Sequence, residues 1–447
     1  MTAYVDIIRS QLAKGPSGAR QLIEKMGISQ PTLSRAIAAM GDEVVRLGAA
    51  RSIQYALRDT RRALADIPIY RVGADGRILP LGLLVPVSPE GFVMQQADGV
   101  SLHSDSLPWW LLDMRPQGFL GRAYASRHAE MLGLPARLSD WSDAHVLRAL
   151  STHGLDAVGN LLLGDVARER FLNAPPPAPI PENTKREAYA RLAQEAASGD
   201  LPGSSAGGEQ PKFTTFVETP DGPRHVLVKF TLPDANPVTE RWRDLLLAEH
   251  HALETLGAGG FLAARSCVID HAGQRFLEVE RFDRVGAAGR RALLSLACVE
   301  AEFVGNASAR WPVIAEQLAN DGHITRESAD GAALLYAFGT LIGNTDMHNG
   351  NLSFTSDQGR PYALAPAYDM LPMGFAPLSG GGLRDNLLAA NLHASVRNAV
   401  WVRALGLAAD FLGRVRADSR FSEAFRSCID ALVGHIDEAG AKVSRLG

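Results

Sequence analysis

Apolar residues recur every three or four positions through "YVDIIRSQLAKG", "SGARQLIEKMG" and "ISQPTLSRAIAAMG", then alternate with polar ones through "EVVRLGAARSIQYALR". The first spacing is the stripe of an amphipathic helix and the second the two faces of a strand. Residues 4–62 therefore predict three short helices and a hairpin turning at "GAARS". Ser17 stands where a cap for the second helix belongs, and Gly27 where that helix must stop. Ser29 is the matching cap of the third helix, Pro31 suits its first turn, and Leu33, Ile37 and Met40 share one face.

From Ile67 the pattern is mixed. "IPIYRVGADGRILPLGLLVP" predicts strands around a "DGR" turn, and "LPWWLLDMRPQGFLGR" a buried helix, with more helix up to about Leu172. Residues 173–183 hold five prolines and form a stiff linker. Beyond it come a helix "KREAYARLAQEAAS", a glycine-rich loop "PGSSAGGEQPK", two strands joined at "PDG", a helix "WRDLLLAEHHALETLGAGG", and two strands in "ARSCVIDHAGQRFLEVERFDR". From about Arg290 the text turns helical and stays mostly so. A strand-rich half followed by a helix-rich half predicts a two-lobed α+β layout.

Composition narrows the choices. A chain of 447 residues with 46% apolar and 21% charged residues is globular and multi-domain. Its net charge of −4 gives no overall pull toward nucleic acid or membrane, yet residues 1–62 carry ten Lys/Arg against five Asp/Glu. A small basic module on an acidic body follows. The three cysteines are far apart with no CxxC, which argues against a zinc site and for a reducing compartment. The start lacks a signal-like segment and the chain lacks a long apolar run, so the expectation is cytoplasmic, without a membrane.

The basic module reads as a winged helix-turn-helix. Gln30, Thr32, Ser34 and Arg35 open its second helix, within reach of base edges, and Arg46 and Arg51 on the wing can meet phosphates. A three-helix packing unit that touches no DNA is the plainer alternative.

A second constellation carries chemistry. In "LIGNTDMHNGNLSF", Asp346 and Asn351 have the D-x-x-x-x-N spacing of a kinase catalytic loop, and Asp369 follows in "LAPAYDMLP". The acid orients the attacking hydroxyl, while the amide and later carboxylate offer Mg²⁺ hard oxygen donors. Lys229 sits among apolar residues in "HVLVKF", where an ammonium needs an anion; ATP phosphates fit, with Glu249 as helix partner. "EVERFDR" suits an inter-lobe hinge, its backbone near Glu280 and Phe282 facing adenine. "SSAGGEQPK" offers Gly207, Gly208 and Lys212 to the phosphates. His348 is either a catalytic neighbour or a brace for its loop.

These ordered motifs resemble the HipA family of bacterial serine/threonine kinases, the toxins of type II toxin–antitoxin systems. The added N-terminal module is similar to the YjjJ/HipH-like branch. The resemblance implies a bilobal protein-kinase-like HipA fold: winged helix-turn-helix at 1–64, N-terminal subdomain at 65–172, linker at 173–183, kinase N-lobe at 184–286 and helical C-lobe at 287–447. It implies Asp346 as catalytic acid, Asn351 and Asp369 on Mg²⁺, Lys229 on the phosphates, and adenine held by the backbone of Glu280 and Phe282. It also implies autophosphorylation of Ser205, or the adjacent Ser204, as an off-switch. Protein substrates such as aminoacyl-tRNA synthetases, growth arrest and persistence, an antitoxin partner and a homodimer belong to the same set of expectations. Two other readings stay open. One is a transcriptional regulator whose kinase-like body senses nucleotide; the other is a nuclease using Asp346, His348 and Asp369.

Overall fold

The computed structural model describes residues 2–48, 53–198, 210–357 and 359–445. At the N-terminus, α1 (Thr2–Leu12), β1 (Ser17–Gly18), α2 (Ala19–Met26), α3 (Gln30–Met40), β2 (Val44–Leu47) and β3 (Gln54–Leu57) form a three-helix unit with a sheet of order β1-β3-β2. Ile8, Leu12, Leu22, Leu33, Ala36 and Met40 fill its core. Ser29 caps α3 through the Thr32 N–H, and Gly27 closes α2 in the left-handed region at φ 62. Ser17 is not the cap of α2. Its backbone is committed to the sheet opposite Tyr55, and the cap falls to Gly18, whose N–H the Gln21 side chain accepts at 3.2 Å.

The middle unit is an antiparallel sheet of order β7-β6-β5-β4-β8: β4 (Ile67–Val72), β5 (Ile78–Pro86), β6 (Phe92–Gln96), β7 (Ser101–Ser104) and β8 (Leu161–Leu163). Helices α4 (Gly118–His128), α5 (Asp143–His153) and α6 (Gly164–Asn173) complete it. The single helix expected across "LPWWLLDMRPQGFLGR" is instead a 3₁₀ turn, Trp109–Met114, followed after a break by α4. Pro116 is the reason. It forces Arg115 out of the helical region (ψ 125) and lacks the N–H a continuous helix needs. The N-terminal unit packs on this sheet: Val45, Leu47 and Ala56 share a buried cluster with Val85, Val87 and Val93. Arg62 donates to the carbonyls of Val87 (3.0 Å) and Gly91 (2.7 Å).

The proline-rich stretch ends at Ile180, which exchanges backbone bonds with Phe216 and Glu218 at 2.9 and 3.0 Å. Next come α7 (Lys185–Ser198) and a four-stranded sheet of order β11-β12-β10-β9, backed by α8. Its strands are β9 (Lys212–Val217), β10 (Arg224–Phe230), β11 (Ser266–His271) and β12 (Gln274–Glu280), and α8 spans Pro237–Ala258. The remainder is built on α9 (Leu296–Phe303), α10 (Trp311–Asn320), α11 (Arg326–Leu341), α12 (Asn398–Ala417) and α13 (Arg426–Val443). Helix α11 is buried on nearly every side, as a central helix must be, and its Phe338 shares one core with Trp311, Trp401 and Phe411 from the neighbouring helices. This region is less purely helical than expected. A ribbon β13 (Arg284–Val285) and β14 (Gly289–Arg290) opens it, and β15 (Ala292–Ser295), β16 (Ser353–Ser356) and β17 (Ala363–Leu364) form a small sheet. Such short strands, paired across about sixty residues, leave no local periodicity to read.

Candidate active site

Strand β10 carries Lys229 into the interior, where its side chain is 7% exposed. An unpaired ammonium there would be untenable. It is held by both oxygens of Glu249 on α8, at 2.7 Å each, and by Asp369 at 2.5 Å. Burial drags the Lys229 pKa down, but Asp369 and Glu249 more than reverse it and the ammonium stays charged. For Asp369, burial pushes upward and Lys229 and Lys212 outweigh it, leaving the carboxyl below its ordinary value. Burial pushes Glu249 up against the pull of Lys229. Lys212 stands directly opposite Lys229 across the β9–β10 pairing, so two cations enter the cleft from adjacent strands.

The loop after α11 shows where its many short polar side chains go. Gly343 ends the helix at φ +77. Asn344 accepts the Asp346 N–H at 3.0 Å and reaches toward the Asp369 carbonyl at 3.5 Å. Asn351 donates its amide to the Asp346 carbonyl at 2.8 Å, which turns its side-chain oxygen away for other use. His348 Nδ1 accepts the Gly350 N–H at 3.0 Å and caps the turn Asn349–Asn351, so its proton sits on Nε2. The amides and imidazole thus satisfy the backbone, and the exposed Asp346 carboxylate is left for chemistry. Though exposed, the carboxylate is partly desolvated by its surroundings, which raises its pKa; His348 lowers it, Asp369 raises it and Lys229 lowers it. Asp369 itself adopts φ 54, a left-handed conformation uncommon outside glycine and tolerated best by Asp and Asn.

A cavity of about 580 Å³ lies between the sheet and helical units. Lys212, Lys229, Glu249, Glu280, Phe282, His348, Asn351 and Asp369 all line it, with apolar walls from Leu227, Val279 and Leu293. Asp346 is not in that lining and stands beside it. Of the Glu280 backbone groups only the carbonyl can serve a ligand, because its N–H is given to the Arg265 carbonyl at 2.8 Å. Asn351 and Asp369 are two hard oxygen donors at one end, a set that fits Mg²⁺ sharing phosphate and water ligands. Among the described residues, no group of three or more His, Cys, Asp or Glu side chains forms a protein-only cage.

Other candidates lie elsewhere. Ser204, Ser205, Gly207, Gly208 and Arg51 fall outside the described residues. Gln30, Ser34, Arg35 and Arg46 are exposed on the N-terminal unit. Thr32 is half-buried, its hydroxyl bound to Ser29 at 2.9 Å, and Arg35 donates to the Pro31 carbonyl at 3.3 Å. Sequence reasoning missed the middle unit's share of the cavity: Leu112, Asp113, Gln117, Gly118 and Val158 line it too. Only the proline-broken text around "LLDMRPQG" hinted at a loop there.

A family model described as "YjjJ-like toxin, middle domain" matches residues 63–172, and one described as "HipA-like C-terminal domain" matches residues 204–437. Toxin YjjJ of Escherichia coli (strain K12) is 41% identical over 438 residues, 98% of each chain. A chain of the Shewanella oneidensis MR-1 toxin–antitoxin complex of HipA, HipB and operator DNA superposes with TM-score 0.55 over 85% of this chain and 97% of that one, at 15% identity. That likeness is one of fold. The Helicobacter pylori proinflammatory kinase CtkA, at TM-score 0.39 and 13% identity over 54% of this chain and 93% of its own, is too distant to argue from.

Proposed function

The chain belongs to the YjjJ-like branch of the HipA toxin family, and from that footing we propose that it is an ATP- and Mg²⁺-dependent protein serine/threonine kinase with a fused DNA-binding domain. One observation carries this reading. Lys229, gripped by Glu249 and Asp369, lines with Asn351 a single cavity of nucleotide size.

In this reading Lys229 and Lys212 would position the phosphates, and Asp369 and Asn351 are the residues that would hold Mg²⁺. Bound Mg²⁺ neutralises charge developing on the transferring phosphoryl group. Asp346 accepts the proton of a substrate hydroxyl as the new O–P bond forms and the bond to ADP breaks. His348 braces this loop. The backbone of Glu280 and Phe282 takes adenine, and Gly207 and Gly208 cover the phosphates. Ser205, or Ser204, is the autophosphorylation site. The wider substrate is a translation-related protein, with an aminoacyl-tRNA synthetase as the class the family resemblance implies.

The N-terminal unit acts as a winged helix-turn-helix. Gln30, Ser34 and Arg35 reach toward base edges, Arg46 and Arg51 toward phosphates, and the domain serves autoregulation of the gene.

Incubation with γ-labelled ATP tests the proposal. Wild-type protein is expected to label itself or a lysate protein, and Asp346→Ala to abolish labelling. No labelling and no ATP binding by the folded wild type would end the kinase reading.

A further inference from the structure

In a two-lobed phosphotransferase the lobes commonly open and close about their connection. Here a third body crosses that connection. Asp156, in the turn after α5, accepts from Thr214 Oγ1 on β9 at 2.7 Å, from Arg281 at 2.5 Å and from Arg284 at 3.3 Å. Arg281 and Arg284 lie just after β12, where the two lobes join. Both also hold Asp283, at 3.0 and 2.7 Å, and Asp283 accepts the Gly159 N–H at 3.1 Å. Arg284 returns two bonds to the same turn, to the carbonyls of Ala157 (2.8 Å) and Gly159 (2.9 Å). Two guanidiniums and two carboxylates thus neutralise each other and tie the connection to the middle unit.

A second tie reaches the helical lobe. Asp113 accepts both the N–H (2.6 Å) and the hydroxyl (2.7 Å) of Ser295, the residue that caps α9. Asp113 itself lines the nucleotide-sized cavity. The middle unit has its own core, including Ile69, Leu84, Trp141 and Leu147, so these ties issue from a rigid body.

We propose that Asp156 and Asp113 are positioning residues of a splint. The middle unit grips the sheet lobe at Thr214, the connection at Arg281 and Arg284, and the helical lobe at Ser295, holding the cleft at a fixed, nucleotide-ready width. The inference rests on the nucleotide-cleft reading above for its consequence, but its geometry is measurable without nucleotide.

The experiment uses the full chain and two spin labels. One is on Cys267, the exposed native thiol of β11, and the other on Val402→Cys, an exposed position of α12; Cys298 and Cys428 are buried. The parent is expected to give one narrow inter-lobe distance distribution, unchanged by a non-hydrolysable ATP analogue with Mg²⁺. Asp156→Asn is expected to broaden that distribution and raise the analogue's Kd roughly tenfold or more. Thr214→Val deletes one hydroxyl and no charge, and is expected to shift both readouts in the same direction to a smaller extent. It decides the matter if Asp156→Asn fails to fold. A parent distribution that is already broad, or unchanged distributions and Kd in the folded variants, would overturn the splint. Absence of analogue binding by the parent would instead count against the kinase reading, and the nucleotide-free distances would still settle the inference.

Discussion

At the residue scale, the site is organised by which polar groups are consumed and which are left over. Asn344, His348 and the Asn351 amide serve the backbone around Asp346, and the Asp346 carboxylate remains exposed. Asp346→Asn is therefore expected to fold normally while lowering kcat by about 10²–10⁴, measured by initial rates beside a thermal melt. Because partial desolvation by its surroundings raises the Asp346 pKa, activity should rise with pH through a midpoint above the ordinary carboxylate range. Lys229 is the opposite case. Lys229→Met leaves Glu249 and Asp369 facing each other with little water, so it should cost about 3–5 kcal/mol of stability as well as activity. Denaturant titration checks the first loss and phosphoryl transfer the second. The meeting of Lys229, Asn351 and Asp369 at one cavity was legible from the order of the motifs along the chain rather than from any one residue. Asp113 was not legible, since an ordinary loop acid gains its place only through the distant Ser295.

At the element scale, local signals succeeded where one segment decides its own form. Helix α8 runs from the Asn236 cap, which accepts the Thr239 N–H at 2.9 Å, to Gly259, and so carries Glu249 to Lys229. Asn236→Ala is expected to cost about 1 kcal/mol and to lower the melting temperature without altering nucleotide affinity. Strands β10 and β12 were readable as short apolar-rich runs bounded by turns, and their register sets Lys229 beside Leu277. Failures came where two signals competed. The apolar "LPWWLLDM" favoured helix, yet Pro116 divided it. The strands β15, β16 and β17 are each too short to announce themselves and exist only by pairing.

At the scale of the whole molecule, charge is redistributed by folding. Arg9 pairs with Asp6 and Glu43, Arg20 with Glu24, Arg58 with Asp66 and Arg62 with Asp59, so these basic residues are committed to acids, and of those partners only Asp66 comes from beyond residue 62. Lys14, Lys25, Arg35 and Arg46 have no ion pair among the described residues, and there they are the charges available to the proposed DNA contact. Arg35→Ala is expected to weaken a gel shift with upstream DNA and reduce the salt slope by about 1. Stability also has a molecular pH dependence. Burial, followed by a neighbouring histidine, pushes His153 and His250 down to about 4. Histidines kept neutral by folding contribute stability above their usual value of 6.5 that is lost as pH falls toward about 4. Melting temperatures should drop across that window, and less so in His250→Gln.

The sequence by itself determined the elements and the chemical kit. Periodicity, caps and glycines dictate local form, and a lysine in an apolar strand or an acid five positions before an asparagine declares its need for a particular partner. Tertiary structure alone decided which groups meet. It placed Lys229 against Asp369 and set the middle unit across the junction of the lobes. Those outcomes depend on contacts between residues a hundred or more positions apart, as with Asp156 and Arg281 or Asp113 and Ser295. No local pattern encodes such pairings, because their energy appears only when the chain closes around them.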